Sequence, residues 1–172
     1  MKRISKLTFI AIIAGIYTTI SLVFAPYSFL SIQIRIAEAL MVLAILKKES
    51  IVGLVFGCFI TNLVGVMMGA NPLGLIDVIV GTFATYLACI IAYKFRNIKV
   101  KQIPLVSLSA FVWVNGLILA LEFTLIFFNG FVIAEFIILF VQISVGQIIS
   151  VGLFGYPLYL YIKNNPRIIE IV

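Results

Sequence analysis

The chain has 172 residues, 64% of them hydrophobic and 10% charged, with twelve Lys or Arg against six Asp or Glu. So apolar a composition excludes a soluble domain and makes lipid the natural solvent. The basic excess reads as cytoplasmic loops facing anionic lipid rather than as a nucleic-acid surface, and with no histidine a metal site at Cys58 or Cys89 is disfavoured.

Met1–Lys6 and the apolar run behind it resemble a signal peptide, with a passable cleavage site at Ala25. The run Leu7–Ala25 is longer than a usual signal core and Pro26 follows at once, so a retained first helix is expected. It carries Ala11 and Gly15, four apart, with Ala14 and Thr18 alongside. Small-xxx-small spacing lets another helix approach closely, from inside the fold or from a partner subunit. The second apolar run, Gln33–Leu46, would rise only about 21 Å as an α-helix, too little to cross the hydrocarbon alone. Ser50–Met68, Leu75–Tyr93 and Pro104–Phe128 follow as full spans. The last run, Phe131–Ile162, is long and holds Gly146, Gly152, Gly155 and Pro157, so it should tilt or kink. The expectation is one all-α membrane domain over residues 1–172, a bundle of six transmembrane helices.

Basic residues order these spans. Lys2, Arg3 and Lys6 precede the first, and Lys47 and Lys48 separate the second from the third. Lys94, Arg96, Lys99 and Lys101 separate the fourth from the fifth, and Lys163 and Arg167 follow the sixth. Alternate connections thus hold every Lys and Arg except Arg35, which by the positive-inside rule puts both termini in the cytoplasm.

With that orientation, the polar residues inside the spans share a level. Gln33, Arg35 and Glu38 open the second helix from outside, and Asp77 opens the fourth. Asn62 and Glu122 each lie about 9 Å below an outer helix end. Asn115 lies on the same face as Glu122, two turns deeper, and Gln142 and Gln147 occupy the middle of the sixth helix. Ionisable groups in lipid are costly and tend to serve function, so this set, drawn from five helices, reads as an outward-facing binding pocket. Duller readings stand beside it: an Arg35–Glu38 pair on one helix face, Asp77 complementing a helix N-terminus, and Asn62 and Asn115 as interhelical hydrogen-bond glue. Glu122 resists such a reading, because its own helix carries no basic residue. Glu135, at the outer edge, is read as solvated. Glu38, Asp77 and Glu122 against Arg35 leave a net charge of minus two if all ionise, suited to a small cation with several hydrogen-bonding edges. The sequence has no phosphate-binding G-x-x-x-x-G-K-[ST] loop and no nucleophile–base set, so ATP hydrolysis by that route and enzymatic catalysis are not expected.

The segment Gln33-Ile34-Arg35-Ile36-Ala37-Glu38-Ala39-Leu40 resembles the QueT family of substrate-binding (S) components of energy-coupling factor (ECF) transporters. Gly57-Cys58-Phe59-Ile60-Thr61-Asn62-Leu63, Gly74-Leu75-Ile76-Asp77 with Gly81-Thr82 and Ala84-Thr85, Asn115-Gly116 with Glu122, and Gly155-Tyr156-Pro157-Leu158 continue the match in order. The resemblance implies a six-helix bundle in the bacterial cytoplasmic membrane that captures a 7-deazaguanine precursor of queuosine, such as 7-aminomethyl-7-deazaguanine, or queuine. It implies substrate contacts from Gln33, Arg35, Glu38, Asn62, Asp77, Asn115, Glu122 and Gln147. It also implies two cytoplasmic ATPases, which use the ATP, and a transmembrane coupling (T) subunit met by Ala11, Ala14 and Gly15; this chain itself needs no cofactor. The pattern departs at Gln147, where relatives often carry an acid, and in a longer stretch over Val66–Pro72, which is expected to act as a lid. Another vitamin or nucleobase as ligand, or a standalone carrier working without ATPases, remain the alternatives; the lack of a visible inverted repeat disfavours the carrier.

Overall fold

A computed structural model describes residues 5–29, 34–128 and 130–165. They form seven helices: α1 (Lys6–Val23), α2 (Ala25–Ser28), α3 (Ile36–Leu46), α4 (Glu49–Met67), α5 (Leu75–Lys94), α6 (Leu105–Phe127) and α7 (Ile133–Lys163). Local chemistry sets several ends. Ser5 caps α1 by accepting the Thr8 N–H at 3.2 Å. Pro26 sits in the first turn of α2, where a missing N–H costs nothing. Arg96 closes α5 by donating to the Tyr93 carbonyl at 2.9 Å while its guanidinium stacks 3.9 Å from the Tyr93 ring.

Five helices, α1, α4, α5, α6 and α7, are long and apolar enough to cross a membrane. The six expected spans therefore become five of full length and one short element. α3 is a 3₁₀ helix from Ile36 to Val42 and only then one α-turn, Leu43–Leu46. It spans about 20 Å and is wrapped by other helices, with Ala37, Met41, Val42 and Ala44 fully buried. α1 packs on α4, α4 on α5, α5 on α6 and α6 on α7, while α3 touches both α7 and α1 and so closes the ring.

The expected distortion of the last helix is present and has a definite form. Its hydrogen bonding widens to a π-helix over Ile148–Gly155, just before Pro157. Proline cannot donate to the preceding turn and its ring crowds the carbonyl four residues back, and a wider register relieves both. The same stretch lets α7 reach α3: a Cβ on Gly155 would meet Val42 at 3.0 Å and the Ala39 carbonyl at 3.1 Å.

Glycines on α4 decide how α1 docks. A Cβ on Gly57 would meet the Tyr17 Cβ at 2.8 Å, and one on Gly53 the Ile10 carbonyl at 2.8 Å. Close approach within the fold is thus supplied by α4. Of the small residues on α1, Ala14 is buried against Gly57, whereas Ala11 and Gly15 are exposed.

Two apolar cores result. The larger is built around Tyr17, Met41, Leu54, Phe111 and Val151, and the smaller joins Leu119, Phe123, Leu139 and Ile143 between α6 and α7. Along α6, Asn115 falls between Phe111 and Leu119; along α7, Gln147 falls between Ile143 and Val151. The polar residues lie at the seam between the cores.

Candidate functional site

Seven of the eight expected substrate residues are described, and all are buried: Arg35, Glu38, Asn62, Asp77, Asn115, Glu122 and Gln147. Gln33 lies outside the described residues. The 3₁₀ turn sets the first two. Arg35 stands in extended backbone just before α3, its carbonyl accepts the Glu38 N–H at 2.8 Å, and Glu38 is thereby fixed in the first turn. Arg35 and Glu38 form no ion pair among the described residues, so the simple intrahelical pair is not what holds them. The Arg35 guanidinium instead lies 5.3 Å from the Phe29 ring centroid and donates to the Cys58 sulfur at 3.7 Å. Glu38 accepts a short hydrogen bond from the Gln147 amide, which ties α3 to α7 across 109 residues of sequence.

The three carboxylates in this seam differ in their partners. Glu38 has the Gln147 N–H. Asp77 receives the Asn71 amide at 2.7 Å, and Asn71 in turn accepts the Leu73 N–H at 3.1 Å, so the connection between α4 and α5 is tied to the first turn of α5. Both oxygens of Glu122 are buried with no hydrogen-bond partner. Arg35 lies within electrostatic range of Glu38, Asp77 and Glu122.

Asn62 takes the interhelical bonding role expected for it. Its amide nitrogen donates to the Asp77 carbonyl at 3.0 Å and binds α4 to α5, while its amide oxygen is unpartnered. Asn115 does not act as glue, since neither amide atom has a partner. Arg35 Nε, Gln147 Oε1 and the hydroxyl of Ser144 are also buried and unpartnered. Native interiors pair nearly all such groups, and each exception costs about 1–3 kcal/mol. Several of them sit on charged or amide residues, Arg35, Asn62, Asn115, Glu122 and Gln147, and others are the hydroxyls of Ser21, Ser50, Thr61 and Ser150.

Three residues belong to this site that the sequence reading did not assign to it. Cys58 lies at its centre, accepting from Arg35, from Asn62 at 3.7 Å and from Thr85 at 3.3 Å. The one available signal was its spacing four residues before Asn62 on the same helix face. Asn71 was visible only as a polar residue in the connection ahead of Asp77. Tyr17 had no signal at all, being one aromatic in an apolar helix. Its hydroxyl is fully buried and lies close to the Arg35 guanidinium. α1 therefore presents Tyr17 to the site and Ala11 and Gly15 to the exterior. There a groove of about 470 Å³ runs between α1 and α4, lined by Ala11, Ala14, Gly15, Thr18, Phe56 and Ile60 among others. Among the described residues, no three His, Cys, Asp or Glu side chains gather as metal ligands would.

Five helices long and apolar enough to span a membrane, around a buried, incompletely bonded polar cluster, define a multi-pass membrane protein. The chain belongs to the QueT transporter family, whose profile it matches over residues 7–164. Comparison with curated proteins and with solved structures gave no match in either case.

Proposed function

We propose that this chain is the substrate-capturing S component of an ECF importer and binds a 7-deazaguanine precursor of queuosine. The observation that supports the reading best is the set of buried, unpartnered donors and acceptors on Arg35, Asn62, Asn115, Glu122 and Gln147. A flat base with N–H and carbonyl edges offers complements to each of them, and an aminomethyl substituent offers a cation to an acidic enclosure. Gln33 belongs to the same proposed substrate contacts.

In this reading the chain lies in the bacterial cytoplasmic membrane with both termini inside and its pocket opening outward. It uses no cofactor of its own; two ATPases act through a coupling subunit. The exterior face of α1 suits that subunit, because Ala11 and Gly15 offer backbone-level approach beside an open groove.

The test is equilibrium binding of 7-aminomethyl-7-deazaguanine to the purified protein in detergent, with guanine, queuine and thiamine as competitors. Saturable binding displaced by deazaguanines but not by thiamine is expected. A folded, monodisperse sample that binds thiamine or nothing would sink the assignment.

A further inference from the structure

The three buried carboxylates have unequal capacity for a ligand cation, and the inequality follows from what each already holds. A carboxylate offers about four lone-pair positions to donors. Glu38 accepts the Gln147 N–H, so one of its acceptor positions is already filled. Asp77 accepts the Asn71 N–H, and that bond also orders Leu73. Displacing it would release the connection between α4 and α5 rather than complete a site. Glu122 is 6% exposed and both its oxygens lack any donor. Its helix supplies no cation, and of the charges that act on it one is the like charge of Asp77 and the other is Arg35, which Glu38 and Asp77 share. Asn115, two turns along the same face, is also unpartnered and adds both a donor and an acceptor beneath it.

We propose that Glu122 is the specificity-determining residue for a ligand ammonium group, while Glu38, aligned by Gln147, takes the uncharged N–H edge of the ligand. This assignment rests on the base-binding reading above and divides its labour. A buried carboxylate without donors gains most from a full positive charge, since an ionised donor makes the stronger and shorter bond. A carboxylate that already holds an N–H gains less from a cation but still accepts neutral donors. Charge selection and ring recognition therefore fall on different helices, α6 and α3.

The experiment compares two probes that share a ring and differ in charge: 7-aminomethyl-7-deazaguanine, which carries an ammonium, and the neutral 7-cyano-7-deazaguanine. Affinities are measured by titration calorimetry on the wild-type protein and on Glu122→Gln and Glu38→Gln. The wild type should prefer the amine at least about tenfold. Glu122→Gln should weaken amine binding roughly a hundredfold, the scale expected when one partner of a buried charge pair is neutralised, and should change nitrile binding no more than about threefold. Glu38→Gln should weaken both probes by similar factors. If Glu122→Gln does not give a folded protein, Glu122→Asp, with the charge set back by one methylene, must lose amine affinity selectively. Equal losses for both probes in the Glu122 variant, or loss of charge selection in the Glu38 variant instead, overturn the assignment. Failure of the folded wild type to bind either probe overturns the base-binding reading itself, and this assignment with it.

Discussion

Gln147 has one amide group and two tasks. Its nitrogen donates to Glu38, and its oxygen is buried without a partner. Replacing it by leucine fills the same space but leaves the Glu38 carboxylate without its donor in a fully enclosed setting. A buried acceptor stripped of its partner costs about 1–3 kcal/mol, so Gln147→Leu should lower the thermal midpoint in detergent and also weaken ligand binding, because Glu38 loses its alignment. An unchanged midpoint would mean that the α3–α7 bond contributes nothing net. Asn71 carries a different expectation. Its side chain joins Asp77 to the Leu73 N–H, so Asn71→Ala should loosen residues 69–74 while leaving the helices intact. Hydrogen exchange should speed up at the Leu73 amide and at its neighbours in that connection, with little change at α4 or α6. Uniform acceleration across the protein would show instead that Asn71 supports the whole fold.

At the scale of helices, the glycines separate contacts made within the fold from surfaces left open. Gly57 has no room for a Cβ, whereas a Cβ on Gly15 would meet nothing within 4 Å. Gly57→Ala must push α1 from α4 and should cost on the order of 1–3 kcal/mol, as overpacking generally does. Gly15→Ala should leave stability unchanged or raise it slightly, since alanine is the better helix former. Thermal unfolding of the two variants in the same detergent decides the point, and the reverse order would contradict the packing. The spacing Ala11–Gly15 in the sequence signalled close approach correctly but could not say by what. Tertiary structure supplied the answer, because the helix that fills the inner side of α1 brings glycines of its own. Legibility elsewhere followed the same division. Long apolar runs revealed α1, α4, α5, α6 and α7, since lipid demands length and hydrophobicity that no other setting requires. The polar residues within them stood out because lipid makes them costly. The 3₁₀ form of α3 left no trace, because burial on all sides erases periodicity. Tyr17 and Cys58 were not assigned to the site because their residue types suit an apolar core equally well, and only position distinguishes the two uses.

For the molecule as a whole, the decisive question is whether the chain crosses the membrane between α1 and α4. α3 is too short to count by length, so the five long helices alone would leave the two ends of the described chain on opposite sides. The ion pair between Lys6 and Glu49, at 3.1 Å, argues otherwise. It joins the start of α1 to the start of α4, so the chain that leaves α1 at its far end must return across the fold before α4 begins. The described residues 24–29 and 34–48 lie on that return, with α3 as its inner part and the basic pair Lys47 and Lys48 at its end. This supports the proposed six-pass topology, in which the positive-inside rule would set Lys6, Lys47, Lys48, Lys94 and Lys163 on the cytoplasmic side. Single cysteines at Ser5, Leu75 and Asn164 test this by parity, and the native Cys58 and Cys89 are buried and should contribute little background. A membrane-impermeant thiol reagent should label Leu75→Cys in intact cells, at a residue 66% exposed at the outer end of α5. It should label Ser5→Cys and Asn164→Cys only in inverted vesicles. If α3 fails to complete a crossing, Leu75→Cys will share a side with Ser5→Cys, and Asn164→Cys will appear opposite both. That pattern would reverse the side from which Asp77 and Glu122 are reached, and with it the outward-facing pocket.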